Sequence, residues 1–345
     1  MIGRRALLAL AGITPLAAPV PLGAQPARPR FYAKGTKQRA VRFAGSEGAE
    51  LAGTLLLPIW SELEKVPGVV LVSGSGPTDR DGNNTLVPER IDLLKQIAER
   101  LAEAGIASLR YDKRGIGAST SRPNGSIAEL ERFFSWDNFV ADVAAAQAEL
   151  VKHDEIKSYA TALLGHSEGG LLVLAAAPTI TRNPPHGMVL VATPGRKLGE
   201  ILRAQIGRGA PNLAGLADRA IAAIEATGHV PADLPRELSA LFPPYAGPFL
   251  QRLLAFDPAQ ALAASRLPCL VLQGAADRQV VPMEDVQPLI DALGKRDAPG
   301  EAVIIPAASH NLKVAQWPTD AGFAGPISSA AAAKLTGWMK QLLGA

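Results

Sequence analysis

Residues Gly165-His166-Ser167-Glu168-Gly169-Gly170 carry the spacing Gly-x-Ser-x-Gly, with apolar residues on both sides, Thr161 to Leu164 and Leu171 to Ala177. A strand that reverses sharply into a helix crowds its own backbone, so glycines are needed at both flanks of the turn. Such a turn lifts the serine hydroxyl clear of the strand end. The free N–H groups of the following helix then face any oxyanion that forms there. A serine hydroxyl is a weak nucleophile at neutral pH. It needs a base within hydrogen-bond reach and a third group that orients the base.

The chain has five histidines, which makes the search for a base short. His166 adjoins the serine and is read as pointing elsewhere along the turn. His153 follows a helical stretch, His186 precedes a strand, and His229 falls among helical segments. His310 stands in Ala307-Ala308-Ser309-His310-Asn311, directly after the last apolar strand. Loops that follow parallel strands gather at one edge of a sheet, the edge that presents Ser167. His310 is therefore the candidate base. The candidate acid is Asp277, in Gln273-Gly274-Ala275-Ala276-Asp277 after the strand that begins at Cys269. Glu284 and Asp285 open a helix and read as its first-turn acids. The order Ser167, Asp277, His310 is that of an α/β-hydrolase and differs from two other orders that build the same constellation.

An oxyanion needs two aligned donors. One is the backbone N–H of Glu168, at the helix start. The other is assigned to Ser75, in the loop Ser73-Gly74-Ser75-Gly76-Pro77, with Gly74 as the neighbouring choice. No Lys-Ser/Thr follows this glycine-rich loop, so it is not a phosphate-binding loop. Asp79, Asp81 and Asn83 have the spacing that opens a calcium loop. Asn84 and Arg90 stand where such a loop requires glycine and glutamate, so no metal is expected. No cofactor is expected either.

Strands and helices alternate from Val69 to Ala192 and again from Cys269 to Leu343, which implies a mostly parallel sheet with helices on both faces. A hairpin formed by Ala40 to Ala44 and Leu51 to Leu57 adds an antiparallel edge. Between them, residues 194–265 contain only helical stretches separated by Gly and Pro, the pattern of an inserted helical cap. Residues 40–345 thus read as a single α/β domain. Residues 25–39 read as a linker. Residues 1–24 read as an export signal: Arg4 and Arg5 precede the short apolar run Ala6 to Ala11 and small residues at Gly23 and Ala24. The arginine pair resembles a twin-arginine leader. The run is too short, and its prolines too frequent, to span a membrane. A periplasmic or secreted protein without stable membrane insertion is expected, and a cytoplasmic one if the leader is not a signal.

A net charge of +3 is too small to imply a nucleic-acid partner, and the basic linker has no aromatic platform beside it. The single cysteine, Cys269, excludes an intramolecular disulfide and reads as a buried strand residue.

Four stretches together carry a family resemblance: Ser73-Gly-Ser-Gly-Pro-Thr-Asp-Arg-Asp-Gly-Asn-Asn84, Tyr111-Asp-Lys-Arg-Gly-Ile-Gly-Ala-Ser119, Gly165-His-Ser-Glu-Gly-Gly170, and Asp277 with Val281-Pro282. The chain resembles bacterial α/β-hydrolase serine esterases, the group of EstD-like carboxylesterases and prolyl-oligopeptidase-like hydrolases. The resemblance spans about residues 40 to 343 and is weak in the cap. It implies hydrolysis of small carboxylic esters with short acyl groups, with Ser167, Asp277 and His310 in the roles assigned above. Ser73-Gly74 departs from the His-Gly of many relatives, in a place where the donor is backbone. Within Tyr111 to Gly117, Asp112 and Arg114 are expected to tie loops together beside the site. An acyl thioesterase, a peptidase of the same fold and a non-catalytic binding protein on that fold are the competing expectations.

Overall fold

The computed structural model describes residues 35–62, 64–317 and 320–345. The expected export signal and residues 25–34 of the expected linker lie outside the described residues. An edge hairpin opens the described chain: β1 (Thr36–Ala44) pairs antiparallel with β2 (Glu50–Pro58). Thr36 to Arg39, expected as the end of the linker, belong to β1, where they face Leu55 to Pro58 across the ladder. Their backbone groups find partners there that a linker would leave to water.

Six further strands follow: β3 (Val66–Val72), β4 (Ala107–Tyr111), β5 (Ile156–His166), β6 (Gly187–Val191), β7 (Cys269–Gly274) and β8 (Gly300–Ile305). The sheet order is β1-β2-β4-β3-β5-β6-β7-β8. β2 runs antiparallel to β4, and all pairs from β4 to β8 are parallel. β3 lies between β4 on one side and β5 on the other. The connections leave β3 and β4 in opposite directions, which makes a topological switch point. In open α/β sheets the site lies at such a point, outside the carboxyl ends of the strands.

Period-two alternation decides which helix meets which face. Val70, Val72, Leu163, Leu190 and Val271 lie in one core, and Val69, Leu71, Leu164, Val191 and Leu272 in the other. The second core is covered by α1 (Leu93–Glu103) and, at the far end of the chain, by helix Ser329–Leu343. The first is covered by α3 (Trp136–Leu150), α4 (Glu168–Ala176) and α10 (Gln287–Leu293). Helix Ser329–Leu343 is α11. A short helix not anticipated from periodicity, α2 (Ile127–Phe133), precedes α3. Its signal was a reciprocal cap: the Ser126 side chain accepts from the Glu129 N–H, and the Glu129 carboxylate accepts from the Ser126 N–H.

The insertion over 194–265 holds five helices: α5 (Leu198–Gly209), α6 (Ala214–Thr227), α7 (Arg236–Ser239), α8 (Gly247–Ala255) and α9 (Pro258–Ala264). The last of these packs against α4 and α10. It therefore covers the sheet as a crossover helix. α8 is joined to α3 by rings: Trp136 contacts Phe249 at 6.0 Å, and Phe139 contacts Phe249 at 5.4 Å between centroids. The cap helices share one continuous core with that face of the sheet. Cys269 opens β7 within this core, and burial pushes its thiol up to about 12.

Candidate active site

Ser167 directly follows β5 and caps α4 with φ 55° and ψ −122°, a backbone conformation that a residue with a side chain seldom adopts. The turn is held from both sides. Ser167 N–H donates to Val191 O at 2.8 Å on the neighbouring strand. A Cβ added to Gly165 would lie 2.2 Å from Gly169 O, and one added to Gly169 would lie 2.4 Å from Val72 O. These two glycines permit β5, α4 and the end of β3 to approach closely enough for the turn to form. The strain in Ser167 persists because its surroundings over-determine it.

His310 and Asp277, which are 33 residues apart in the chain, meet at the ends of β8 and β7. His310 Nδ1 lies 2.8 Å from Asp277 Oδ2, and both side chains are buried. Asp277 is fully furnished as an acceptor. Its Oδ1 receives the N–H groups of Gln279 (2.8 Å) and Val280 (2.9 Å), and its Oδ2 receives the Gln273 amide at 2.9 Å. Burial alone would raise this carboxyl. The His310 charge, its hydrogen bond, and the bonds from Val280 and Gln273 together hold it below its ordinary value. An ionised Asp277 can only accept, so the proton on the His310 ring resides on Nδ1 and Nε2 is left as the basic nitrogen. Among the described residues no hydrogen bond joins the Ser167 hydroxyl to His310. Catalytic hydrogen bonds of this kind commonly tighten only when substrate is in place.

His166 is placed differently from its expectation. Its imidazole turns back under His310: the two ring centroids are 4.8 Å apart, and its Nε2 lies 3.1 Å from the His310 carbonyl oxygen. A carbonyl can only accept, so this nitrogen carries the proton. Burial, and next the neighbouring His310 charge, lower the His166 pKa to about 3. His166 is therefore a neutral donor that ties the His310 backbone to β5, the strand that leads into Ser167. Its signal in the sequence was adjacency to Ser167, which says nothing about the direction of its side chain.

The residues expected to receive an oxyanion, Ser75 and Glu168, would do so through main-chain N–H groups. Gly74 sits against Ser167: a Cβ added there would lie 3.4 Å from Ser167 Cβ and 3.1 Å from His166 Nδ1. Among the described residues neither the Ser75 N–H nor the Glu168 N–H donates to a protein acceptor. Thr78 Oγ1 donates to Ser75 O at 2.7 Å and Ser73 Oγ to Thr78 O at 3.2 Å, closing the loop on itself. Asp79 Oδ1 accepts from the N–H groups of Asp81 and Asn83, both at 2.9 Å, so the carboxylates that suggested calcium shape a turn. Among the described residues no group of His, Cys, Asp and Glu is arranged to hold a metal.

The loop after β4 supports this side. Asp112 Oδ2 accepts from Arg80 at 2.6 Å and from the Ala118 N–H at 2.7 Å. Arg114 donates through Nε and Nη2 to both oxygens of Asp142 on α3, at 2.8 and 2.7 Å, with neither side chain exposed to solvent. Between them stands Lys113, which sequence reading passed over. Its Nζ donates to Gly74 O at 2.6 Å and to Glu168 Oε1 at 3.0 Å. Asp285, the rejected alternative acid, is engaged away from His310: its Oδ1 accepts from Arg196 Nε at 2.9 Å and its Oδ2 from the Val281 N–H at 2.7 Å.

The sequence pattern of the family described as serine aminopeptidase, S33, matches residues 88–314, a span that contains Ser167, Asp277 and His310. Esterase EstD of Thermotoga maritima is 34% identical over 142 residues, 41% of this chain; the match covers only 30% of that protein's length. Two solved structures share the fold at low identity. The α/β-hydrolase GrgF from Penicillium sp. sh18 superimposes with a TM-score of 0.57 at 18% identity, covering 90% of this chain and all (100%) of that one. Est1E from Butyrivibrio proteoclasticus does so with a TM-score of 0.54 at 15% identity, covering 89% and 99%. The mostly parallel eight-stranded sheet, with its helical insertion after β6, is the α/β-hydrolase fold.

Proposed function

Because the chain belongs to the serine aminopeptidase S33 family of α/β-hydrolases, we propose that it is a serine hydrolase that cleaves small carboxylic esters with short acyl groups through an acyl-enzyme on Ser167. The observation that carries this reading is the buried His310–Asp277 pair at the same sheet edge as the strained Ser167 turn. His310 Nε2 takes the Ser167 proton as Oγ attacks the ester carbonyl. The N–H groups of Ser75 and Glu168 receive the oxyanion. The protonated His310 then gives its proton to the leaving alkoxide, and the alcohol departs. Water enters, loses a proton to His310 and attacks the acyl carbon, and collapse of the second tetrahedral intermediate returns the proton to Ser167 and releases the acid. Asp277 remains ionised and holds the imidazole throughout.

The name of Esterase EstD supports the ester as substrate, and the family description favours a second reading, an aminopeptidase. An aminopeptidase must receive a protonated amine on a carboxylate near the nucleophile. Glu168 is the carboxylate adjacent to Ser167, and its Oε1 is already held by Lys113. This favours the ester. A series of nitrophenyl esters of increasing acyl length, run beside aminoacyl anilides, tests the choice: turnover is expected on the shortest esters and absent on the anilides. Faster turnover of the anilides would overturn it. Labelling of the wild-type protein, and not of Ser167→Ala, by a fluorophosphonate tests the nucleophile. The arginine-pair leader supports export, and fractionation of the producing cell tests that expectation.

A further inference from the structure

We infer that Lys113 is the positioning residue that holds the two halves of the oxyanion site in register, an inference that rests on the assignment of Ser167 as nucleophile. Its ammonium bridges two groups from different parts of the sheet edge. One is the Gly74 carbonyl in the loop after β3, at 2.6 Å. The other is the Glu168 carboxylate at the start of α4, at 3.0 Å. Each tethered group belongs to a residue or a peptide that supplies a donor.

Gly74 C=O and Ser75 N–H are the two ends of one peptide plane. Among the described residues no peptide bond is cis, so the N–H points opposite to the carbonyl. Fixing the carbonyl on Lys113 therefore fixes the line along which Ser75 donates. Glu168 presents its N–H from the first position of α4, and its side chain is drawn to the same ammonium. Without the lysine, the glycine-rich loop is free to rotate this peptide plane. Gly74 and Gly76 flank Ser75, and Gly76 already has φ 73°, so the backbone offers little resistance. An oxyanion donor acts only when it is aimed in advance.

Lys113 is itself anchored. Its side chain is 4% exposed, its Nζ lies 5.9 Å from the centroid of Phe139, and the residues on either side are pinned by the Asp112–Arg80 and Arg114–Asp142 pairs. A side chain held this way defines a distance between the two tethered groups.

The test is steady-state kinetics on a short nitrophenyl ester, together with the affinity of a trifluoromethyl ketone, which forms an oxyanion on the serine. Lys113→Met is expected to lower kcat about 30-fold with KM changed less than about threefold, and to weaken the ketone by the same factor as kcat/KM. Lys113→Arg is expected to restore at least about tenfold of the loss, since a guanidinium can donate to both oxygens. Unchanged kcat in Lys113→Met, or a loss confined to KM, overturns the inference. Should Lys113→Met not fold, Glu168→Ala breaks one of the two tethers; about tenfold loss of kcat and of ketone affinity supports the inference, and wild-type values overturn it. Ser167→Ala, assayed in parallel, separates the two readings. If it retains turnover, the nucleophile assignment fails; if it does not, the Lys113 result stands on its own.

Discussion

The two sides of the candidate site are held by different means. On the acid–base side, side chains hold side chains: Asp277 fixes the His310 ring, Gln273 fixes Asp277, and His166 fixes the His310 backbone. On the proposed oxyanion side the donors are backbone N–H groups, and side chains brace the loops that carry them. The first side should therefore fail sharply when one chemical group is changed. The second should tolerate changes in the side chains of its own donors and respond to changes in its supports.

Asp277→Asn is the most severe way to test that contrast. The amide would favour the wrong tautomer of His310, and kcat is expected to fall about 10⁴-fold with the fold intact; a fall of less than tenfold in ester turnover would refute the acid assignment. Next comes the support of the oxyanion side. Arg114→Met would leave the Asp142 carboxylate, which burial already pushes above its ordinary value, without its partner. A loss of about 3–5 kcal/mol in urea unfolding is expected. The double change Arg114→Met with Asp142→Leu should recover most of it.

A milder effect separates the two sides by pH. His166 is held neutral in the fold, with a pKa of about 3 against an ordinary 6.5. Below 6.5 the unfolded chain binds a proton that the folded chain refuses, so stability falls as the pH falls from 6.5 towards 3. Asp277, held below its ordinary value, adds to the same trend only at more acid pH. His166→Gln keeps a donor for the His310 carbonyl and removes the titration. Its unfolding free energy is expected to lose about 2 kcal/mol less than wild type between pH 6.5 and about 5. Identical slopes in the two proteins would show that His166 takes up a proton in the fold. The smallest effect belongs to Ser75→Ala, which removes a hydroxyl and keeps the N–H. Turnover should drop less than about threefold, and a loss of a hundredfold would mean that the donor is the hydroxyl instead.

The same contrast explains what could be read from the chain. Gly165, Ser167 and Gly169 were legible because a sharp turn permits few residues. The pairing of His310 with Asp277 was legible because parallel strands bring their following loops to one edge, whatever lies between them. The sheet and its alternating helices followed from period and length. Other features depend on where a long side chain goes after it leaves the backbone. Lys113 could have reached several partners, and the adjacency of His166 to Ser167 does not say that its ring reaches the His310 carbonyl. Helix α2 was missed because seven residues are too few for periodicity to show, although its cap was written in Ser126 and Glu129. The start of β1 at Thr36 was missed because an edge strand of mixed polar residues has no pattern until its partner is known.

Cys269 lies in the core at the start of β7, the strand whose far end leads to Asp277. Its thiol, raised to about 12 by burial, is inert towards alkylating and disulfide reagents while the strand stays in place. Once the strand opens, the thiol regains the reactivity of an ordinary cysteine. Where opening and closing are fast relative to the chemistry, the rate of modification reports the population of open chain; where they are slow, it reports the opening rate itself. With one cysteine in the whole sequence the signal has a single source. The chain thus contains its own clock for how long the strand beneath the acid remains closed.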